Sequence, residues 1–137
     1  MKRSQWKERA DAHCKAAKTL LDAKQFSPAY YLAGLAIECA LKARIARRFK
    51  AATWPEKSFV VSIYDHDLAK LIQYAELEKQ RLAEEARSPT FRTYWNTVKT
   101  WRIDSRYKDW SGAEARDMVE AVAKRGTGVL AWIRKHW

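Results

Sequence analysis

Hydrophobic residues recur at helical spacing along most of the chain, and no useful stretch alternates between apolar and polar side chains as a strand would. From Ser4 to Lys24 the apolar positions form one stripe: Trp6, Ala10, Cys14, Ala17 and Leu21. The segment from Pro28 to Phe49 is apolar in its first half and basic at its end. Ser27 followed by Pro28 is typical of an N-cap and the first helical position. The pattern predicts two long helices joined by a short connection.

Start signals predict three further helices. Asp65 or Asp67 can cap a helix that carries apolar residues at Leu68, Leu71, Ile72 and Ala75. Ser88-Pro89 repeats the serine–proline signal before Phe91, Tyr94, Trp95 and Val98. Ser111 and Glu114 have the spacing of a capping box, and helical periodicity continues from there to the end of the chain. We therefore expect an all-α, up-and-down bundle of about five helices.

Two connections are predicted to be less regular. Ala51 to Tyr64 contains Trp54-Pro55, and we expect a loop there with a short extended or helical piece. Trp101 to Trp110 interleaves aromatic and basic residues without a clear period. No repeat, low-complexity tract or linker divides the chain, so residues 1–137 are predicted to form a single domain.

The composition of the chain argues against several classes of protein. The chain has 137 residues, of which 47% are hydrophobic, and this is enough for a packed core. It has 2 cysteines, too few for a disulfide scaffold, and no spacing typical of a zinc site, so we expect neither a metal nor a cofactor. The charged N-terminus lacks a signal peptide, and the longest apolar stretch is short of the ~20 residues that span a bilayer. We expect a cytoplasmic protein that does not insert into membranes.

Charge favours a polyanionic partner. The 27 basic and 16 acidic side chains give a formal charge of +11. Residues 1–50 hold 12 Lys and Arg against 4 Asp and Glu, and a cluster without any acid follows the apolar half of the second helix: Lys42, Arg44, Arg47, Arg48 and Lys50. Two interpretations stay open, a solvated helix end whose cations complement the helix dipole and a patch that binds a polyanion.

Known catalytic motifs are absent from the sequence. It has no glycine-rich phosphate loop, and its three histidines lie far apart. Cys14 and Cys39 would lie at similar heights on an antiparallel helix pair, and we interpret them as two small buried residues rather than a redox pair. Glu38 is the one charged residue between Phe26 and Leu41, so its carboxylate needs a partner such as Lys42 or an arginine from another helix.

Three segments resemble the HEPN family (higher eukaryotes and prokaryotes nucleotide-binding). The segment AYYLAGLAIECALKA, residues 29–43, resembles the A-x-x-L-x-G-x-x-x-E-x-x-L-K pattern of the second HEPN helix. The segment YDHDL, residues 64–68, resembles the H-x-L motif before the third helix. The segment WRIDSRY, residues 101–107, resembles the W-x-x-x-x-R-Y region before the last helix. The resemblance covers most of the chain and implies the same helical bundle.

The resemblance also implies a ribonuclease-like site that has changed here. Many HEPN proteins are metal-independent ribonucleases or toxins, with an arginine followed four to six residues later by a histidine at a dimer interface. In this chain Arg106 stands four residues after Arg102, and the next histidine after either arginine is His136. An arginine cannot act as the general base, so the motif is degenerate. Arg102, Arg106 and His66 remain the catalytic candidates, although a histidine before a helix is more often a capping or packing residue.

The leading hypothesis is a domain that binds RNA or nucleotide phosphates. Arginine forks bind phosphate and aromatic rings stack on bases, so the candidate ligands are Lys42, Arg44, Arg47, Arg48, Arg102, Arg106 and Tyr107. A structural alternative makes Trp101 and Tyr107 core anchors and pairs Arg106 with Glu38. Family context implies a homodimer that acts beside a nucleotidyltransferase-like or other protein partner, in a toxin–antitoxin or phage-defence system.

Two other functions stay open. One is an active metal-independent ribonuclease with a variant site built from Arg102, Arg106, Tyr107 and His66. The other is a protein-interaction module without nucleic acid, whose basic surplus serves only solubility. Binding that weakens steeply with salt separates the nucleic-acid hypotheses from the interaction module, since neutralised phosphates release counterions.

Overall fold

The computed structural model describes residues 1–48 and 57–137. The expected end of the second helix at Phe49, the cluster residue Lys50 and the loop around Trp54-Pro55 lie outside these residues. Within them the chain forms eight α-helices, one 3-10 helix and no strand, which confirms the all-α prediction. The α-helices are α1 (Arg3–Asp22), α2 (Phe26–Arg48), α3 (Lys57–Tyr64), α4 (Leu68–Tyr74), α5 (Glu78–Arg87), α6 (Pro89–Val98), α7 (Gly112–Ala123) and α8 (Val129–Arg134), and the 3-10 helix is Ile103–Tyr107.

Helix α2 is the central helix of the bundle. It packs along α1 and also contacts α4, α7, α8 and the 3-10 helix, because it is apolar on most of its circumference. The stripe predicted for α1 faces it, with Ala10, Cys14 and Ala17 buried. Cys14 and Cys39 are both buried and unpaired, as expected for small core residues.

Most of the predicted helix starts are confirmed. The Asp67 side chain accepts a hydrogen bond from the backbone of Lys70, and Ser88 caps α6 in the same way. The capping box of Ser111 and Glu114 begins α7. The predicted N-cap at Ser27 is wrong, because α2 begins at Phe26 and the Ser27 hydroxyl instead accepts a hydrogen bond from the backbone N–H of Trp110 at 2.8 Å.

The helix count exceeds the predicted five for local reasons. Helix α3 is the helical piece allowed for in residues 51–64, and α5 was not predicted because it buries no residue and therefore shows no apolar stripe. The prediction of one continuous last helix is wrong. This segment is divided into α7 and α8 by a turn in which Gly126 has φ +78, a backbone conformation that glycine adopts without strain.

A close packing of Trp101 on α2 positions the segment that follows α6. Trp101 is 2% exposed, and its indole lies against Gly34, where an added Cβ would be 2.1 Å from the indole Cδ1. Only glycine therefore fits at this point of α2. The contact holds residues 99–103 beside the connection between α3 and α4, where the candidate site lies.

None of the helices in the described part of the chain is both long enough and apolar enough to cross a membrane.

Candidate functional site

A cavity of about 780 Å³ opens between α3, the α3–α4 connection, the start of α4 and residues 99–103. We call it the cleft. It brings together two predicted candidates from distant parts of the sequence, His66 and Arg102. Arg106 and Tyr107 do not line the cleft.

Three basic residues line the cleft. Lys70, Lys99 and Arg102 are exposed side chains at its surface, and no ion pair engages them among the described residues. Asp65 and Asp67 also line the cleft, where each accepts one backbone hydrogen bond, at 2.9 Å and 3.1 Å, and keeps its negative charge, so the cleft holds three cations against two carboxylates. The three cations are therefore available to an anionic ligand.

The lining residues that come from α3 are apolar and exposed. Val60 and Val61 belong to α3 and are among the few large hydrophobic side chains left in solvent. Tyr64 ends the same helix and is 77% exposed. An exposed aromatic ring beside cations is the arrangement on which proteins stack unpaired bases. The lining of the cleft thus contains both cations that can bind an anionic group and exposed apolar side chains that can contact a flat, apolar group.

Beside the cleft, Glu38 joins two basic side chains. One carboxylate oxygen, Oε2, pairs with Lys42 Nζ at 3.2 Å, which confirms the predicted Lys42 partner. The other oxygen, Oε1, lies 2.8 Å from His66 Nδ1. The side chains of Glu38 and Lys42 are buried, whereas the His66 side chain is 45% exposed. Glu38, for which the sequence analysis expected at least one partner, therefore has two, Lys42 and His66.

The expected pair between Glu38 and Arg106 is wrong. Both carboxylate oxygens of Glu38 are engaged by Lys42 and His66. Arg106 is exposed on the 3-10 helix, where its guanidinium carbon lies 4.7 Å from the centre of the Tyr107 ring. His66 occupies the place that an arginine from the last connection was expected to take.

The basic cluster of α2 mainly serves the fold. Lys42 is enclosed between Glu38 and the Trp6 ring, 5.4 Å from the ring centre. Arg44 donates to the carbonyl oxygens of Ala75 at 3.2 Å and His136 at 3.0 Å. Arg47 donates to the His136 carbonyl after α8. Arg48 donates to the Tyr74 carbonyl at the end of α4 and also forms an ion pair with Glu76. Backbone carbonyl oxygens at helix ends accept hydrogen bonds from these three arginines.

The aromatic residues of the 101–110 segment have separate roles. Trp101 is the core anchor that the structural alternative proposed. Tyr107 is 76% exposed, so its assignment as a second core anchor is wrong. Trp110 stacks on Tyr30 with ring centroids 3.7 Å apart, and its indole N–H donates to the Ser105 carbonyl. Of the three rings, Tyr107 alone is largely exposed, with the Arg106 guanidinium beside it.

Lys70 and Tyr64 lie at the cleft but were not singled out from the sequence. No motif marks either residue, and periodicity describes only which positions share a helix face. Their place follows from the turn between α3 and α4, which brings the end of one helix and the first turn of the next to one surface.

The cysteines add no nucleophile to the cleft. Burial raises the pKa of Cys39 to about 12, and the nearby Glu38 carboxylate acts in the same direction. Burial also raises the pKa of Cys14. Both thiols stay protonated near neutral pH. Residues 1–48 and 57–137 contain no group of three or more His, Cys, Asp or Glu side chains arranged to hold a metal ion.

Comparison with known proteins gives one match. A family model described as HEPN domain matches residues 4–136. No curated protein matches the chain significantly. No solved structure does so either.

Proposed function

The chain belongs to the HEPN domain family, and on that premise we propose that the cleft binds RNA or nucleotides through their phosphate groups. The family's helical domains are associated with nucleotide binding and ribonuclease-like activity, and this chain carries the family's domain over nearly its whole length. What the family leaves open is which surface of this chain holds the ligand.

The observation that carries the proposal is the convergence of cations on one cavity. Lys70 comes from α4, Lys99 from the end of α6 and Arg102 from the connection after it, yet all three line the cleft. An arginine fork binds a phosphate by two hydrogen bonds, and lysines add charge. The basic cluster of α2 is a weaker candidate because backbone carbonyls already engage Arg44 and Arg47.

The apolar residues in the lining of the cleft support a nucleic acid over a bare anion. Tyr64, Val60 and Val61 expose apolar surface at the edge of the same cleft. An unpaired base can stack there while the phosphate of the same nucleotide contacts the cations. Single-stranded RNA is therefore the preferred ligand in this proposal. Arg106 and Tyr107, exposed beside Arg102 in sequence, are proposed to contact the strand where it leaves the cleft.

The proposal includes the partners that family membership suggests. HEPN domains often dimerise, so we propose a homodimer, which light scattering on the purified protein measures. A nucleotidyltransferase-like or other protein partner, in a toxin–antitoxin or phage-defence system, completes the proposal. Co-expression with the product of a neighbouring gene followed by affinity purification tests this partner.

Binding of labelled single-stranded RNA, followed by fluorescence anisotropy, tests the cleft directly. The double variant Lys99→Ala/Arg102→Ala removes two of its cations. The double variant Lys79→Ala/Arg92→Ala removes the same charges from exposed positions on α5 and α6 and is the matched control. At about 1 kcal/mol per phosphate contact, the cleft variant should bind ~30-fold more weakly. The control should bind within about twofold of the wild type; equal affinities of the two variants would contradict the proposal.

A further inference from the structure

We propose that a second cavity binds a phosphate group that carries two or more negative charges, either a free anion such as pyrophosphate or the terminal phosphate of a strand. This cavity lies between α1 and the turn that joins α7 and α8, and its volume is about 240 Å³. We call it the second cavity. It shares no lining residue with the cleft, so the inference does not depend on RNA binding there.

Four basic side chains line the second cavity, and all four are exposed. Lys18 belongs to α1 and Arg134 to α8, while the turn after α7 supplies two more, Lys124 and Arg125. None of the described lining residues is acidic, whereas the lining of the cleft includes two aspartates. Like charges that are held together repel one another, so an anion that neutralises them stabilises the folded protein.

Most of these cations have no partner within the fold. Asp11 pairs with Arg134 at 2.6 Å, and both side chains of this pair are about half exposed. In residues 1–48 and 57–137, no ion pair or side-chain hydrogen bond engages Lys18, Lys124 or Arg125. They differ in this from the arginines of α2, which donate to backbone carbonyls. Three cations at the second cavity are therefore available to an anionic ligand.

The Cys14 thiol indicates that charges from two helices act at one point of the second cavity. Cys14 is 5% exposed and is one of the lining residues. Burial raises the pKa of Cys14, and the positive charges of Lys18 and Arg134 act in the opposite direction. Because the effect of a charge falls with distance, both cations lie near the same buried sulfur. An anion beside Cys14 would experience the same two charges.

The size and composition of the second cavity favour a compact anion. Its volume is below the ~300 Å³ at which sites for drug-sized ligands begin. The described lining residues include no aromatic side chain on which a base could stack, and the buried apolar ones are Val122 and Leu130. Apolar surroundings strengthen the attraction between the cations and an anion. A phosphate group with several charges and oxygens suits these cations, since an arginine fork and lysines bind it together.

Isothermal titration calorimetry with pyrophosphate, in the absence of divalent cations, tests the site. The double variant Lys18→Gln/Arg125→Gln removes two exposed, unpaired cations and should bind pyrophosphate at least tenfold more weakly than the wild type. Lys79→Gln/Arg92→Gln removes the same charges from exposed positions on α5 and α6 and should bind within about twofold of the wild type. Equal affinities of the two variants would overturn the proposal, as would the absence of binding to the wild type.

The cleft variant Lys99→Ala/Arg102→Ala separates the two sites. Its affinity for pyrophosphate should stay within about twofold of the wild type, because neither residue lines the second cavity. A loss of affinity in the cleft variant, with none in Lys18→Gln/Arg125→Gln, would assign pyrophosphate to the cleft and overturn the inference without affecting the proposed function.

Competition in the cleft variant distinguishes the two sources of the phosphate group. Two short RNAs of one sequence, with a 5′-phosphate and with a 5′-hydroxyl, are compared as competitors of pyrophosphate. Displacement by the phosphorylated strand alone supports a strand terminus as the ligand, and displacement by neither supports a free anion. Equal displacement by both would show that internal phosphodiesters occupy the second cavity, and this would overturn the proposal.

Alkylation of the thiols measures where pyrophosphate binds. With uncharged iodoacetamide at pH 9, saturating pyrophosphate should slow the reaction of Cys14 at least threefold, because Cys14 lines the second cavity. Cys39 is buried but does not line it, so its rate should change less than twofold. Equal slowing of both thiols, or of neither, would contradict binding at the second cavity.

Discussion

His13 and His136 make the stability of the fold sensitive to mild acid. Burial lowers the pKa of both histidines, and neighbouring arginines, Arg9 beside His13 and Arg44 beside His136, lower it further. The unfolded chain therefore takes up protons at higher pH than the folded chain does. The contribution of these histidines to stability is complete above pH 6.5 and is lost as the pH falls below that value.

We expect the thermal midpoint to fall between pH 7.5 and pH 5.5, and to fall less in the double variant His13→Asn/His136→Asn. Differential scanning fluorimetry at the two pH values measures this difference. An equal fall in the variant and the wild type would show that other groups cause the acid sensitivity.

Glu38 shows how far single residues can be interpreted from sequence. A lone carboxylate in an apolar helix needs a partner, and the spacing of four residues correctly predicted Lys42. The second partner, His66, was not predicted. Helical spacing indicates which residues of one helix are neighbours, but not which residue of a distant connection contacts that helix. The same limit explains the wrong assignment of Arg106, whose distance from Glu38 depends on the course of the whole connection.

At the scale of elements, Gly34 is a point of close approach between α2 and the segment after α6. A Cβ at this position would lie 2.1 to 2.3 Å from three atoms of the Trp101 indole. Gly34→Ala should therefore lower the free energy of unfolding by about 1–3 kcal/mol, even though alanine has a higher intrinsic helix propensity than glycine.

Urea denaturation measures the loss, and a double-mutant cycle with Trp101→Leu identifies its cause. Because leucine lacks the indole atoms that clash, the double variant should lose less stability than the two single variants together. Additive losses would mean that the cost of Gly34→Ala does not come from Trp101.

Arg44 connects three helices through backbone carbonyls. It donates from α2 to the Ala75 carbonyl after α4 and to the His136 carbonyl after α8. Arg44→Ala leaves both without this donor and should lower the free energy of unfolding by about 1–2 kcal/mol. The affinity for RNA should stay within about twofold of the wild type. A loss of affinity without a loss of stability would restore Arg44 to the phosphate-binding residues.

Helix starts were predictable because their signals are local. The caps of α4, α6 and α7 each involve residues three positions apart, so the sequence alone determines them. Helix α5 was missed because charge pairs between its own side chains support it, without a buried stripe: Arg81 with Glu78 and Glu85, and Arg87 with Glu84. The turn at Gly126 was missed because apolar spacing continues across it.

For the whole molecule, composition favours a kind of partner but does not indicate which surface would bind it. The charge of +11 favours a polyanion. In the densest cluster of that charge, the three arginines that the structure describes at the end of α2 contact other parts of the fold. The cations that remain available at the cleft come from residues 70–102 and are dispersed in sequence, so only the folded chain brings them together.

The salt dependence of RNA binding tests the central claim most directly, because it counts phosphate contacts. The logarithm of the binding constant falls linearly with the logarithm of the salt concentration, by about 0.7 per contact for a single strand. Lys99→Ala/Arg102→Ala should therefore have a slope shallower than the wild type by about 1.4, whereas Lys79→Ala/Arg92→Ala should keep the wild-type slope. Parallel slopes for the wild type and the cleft variant would contradict the claim that the cleft holds RNA by its phosphates.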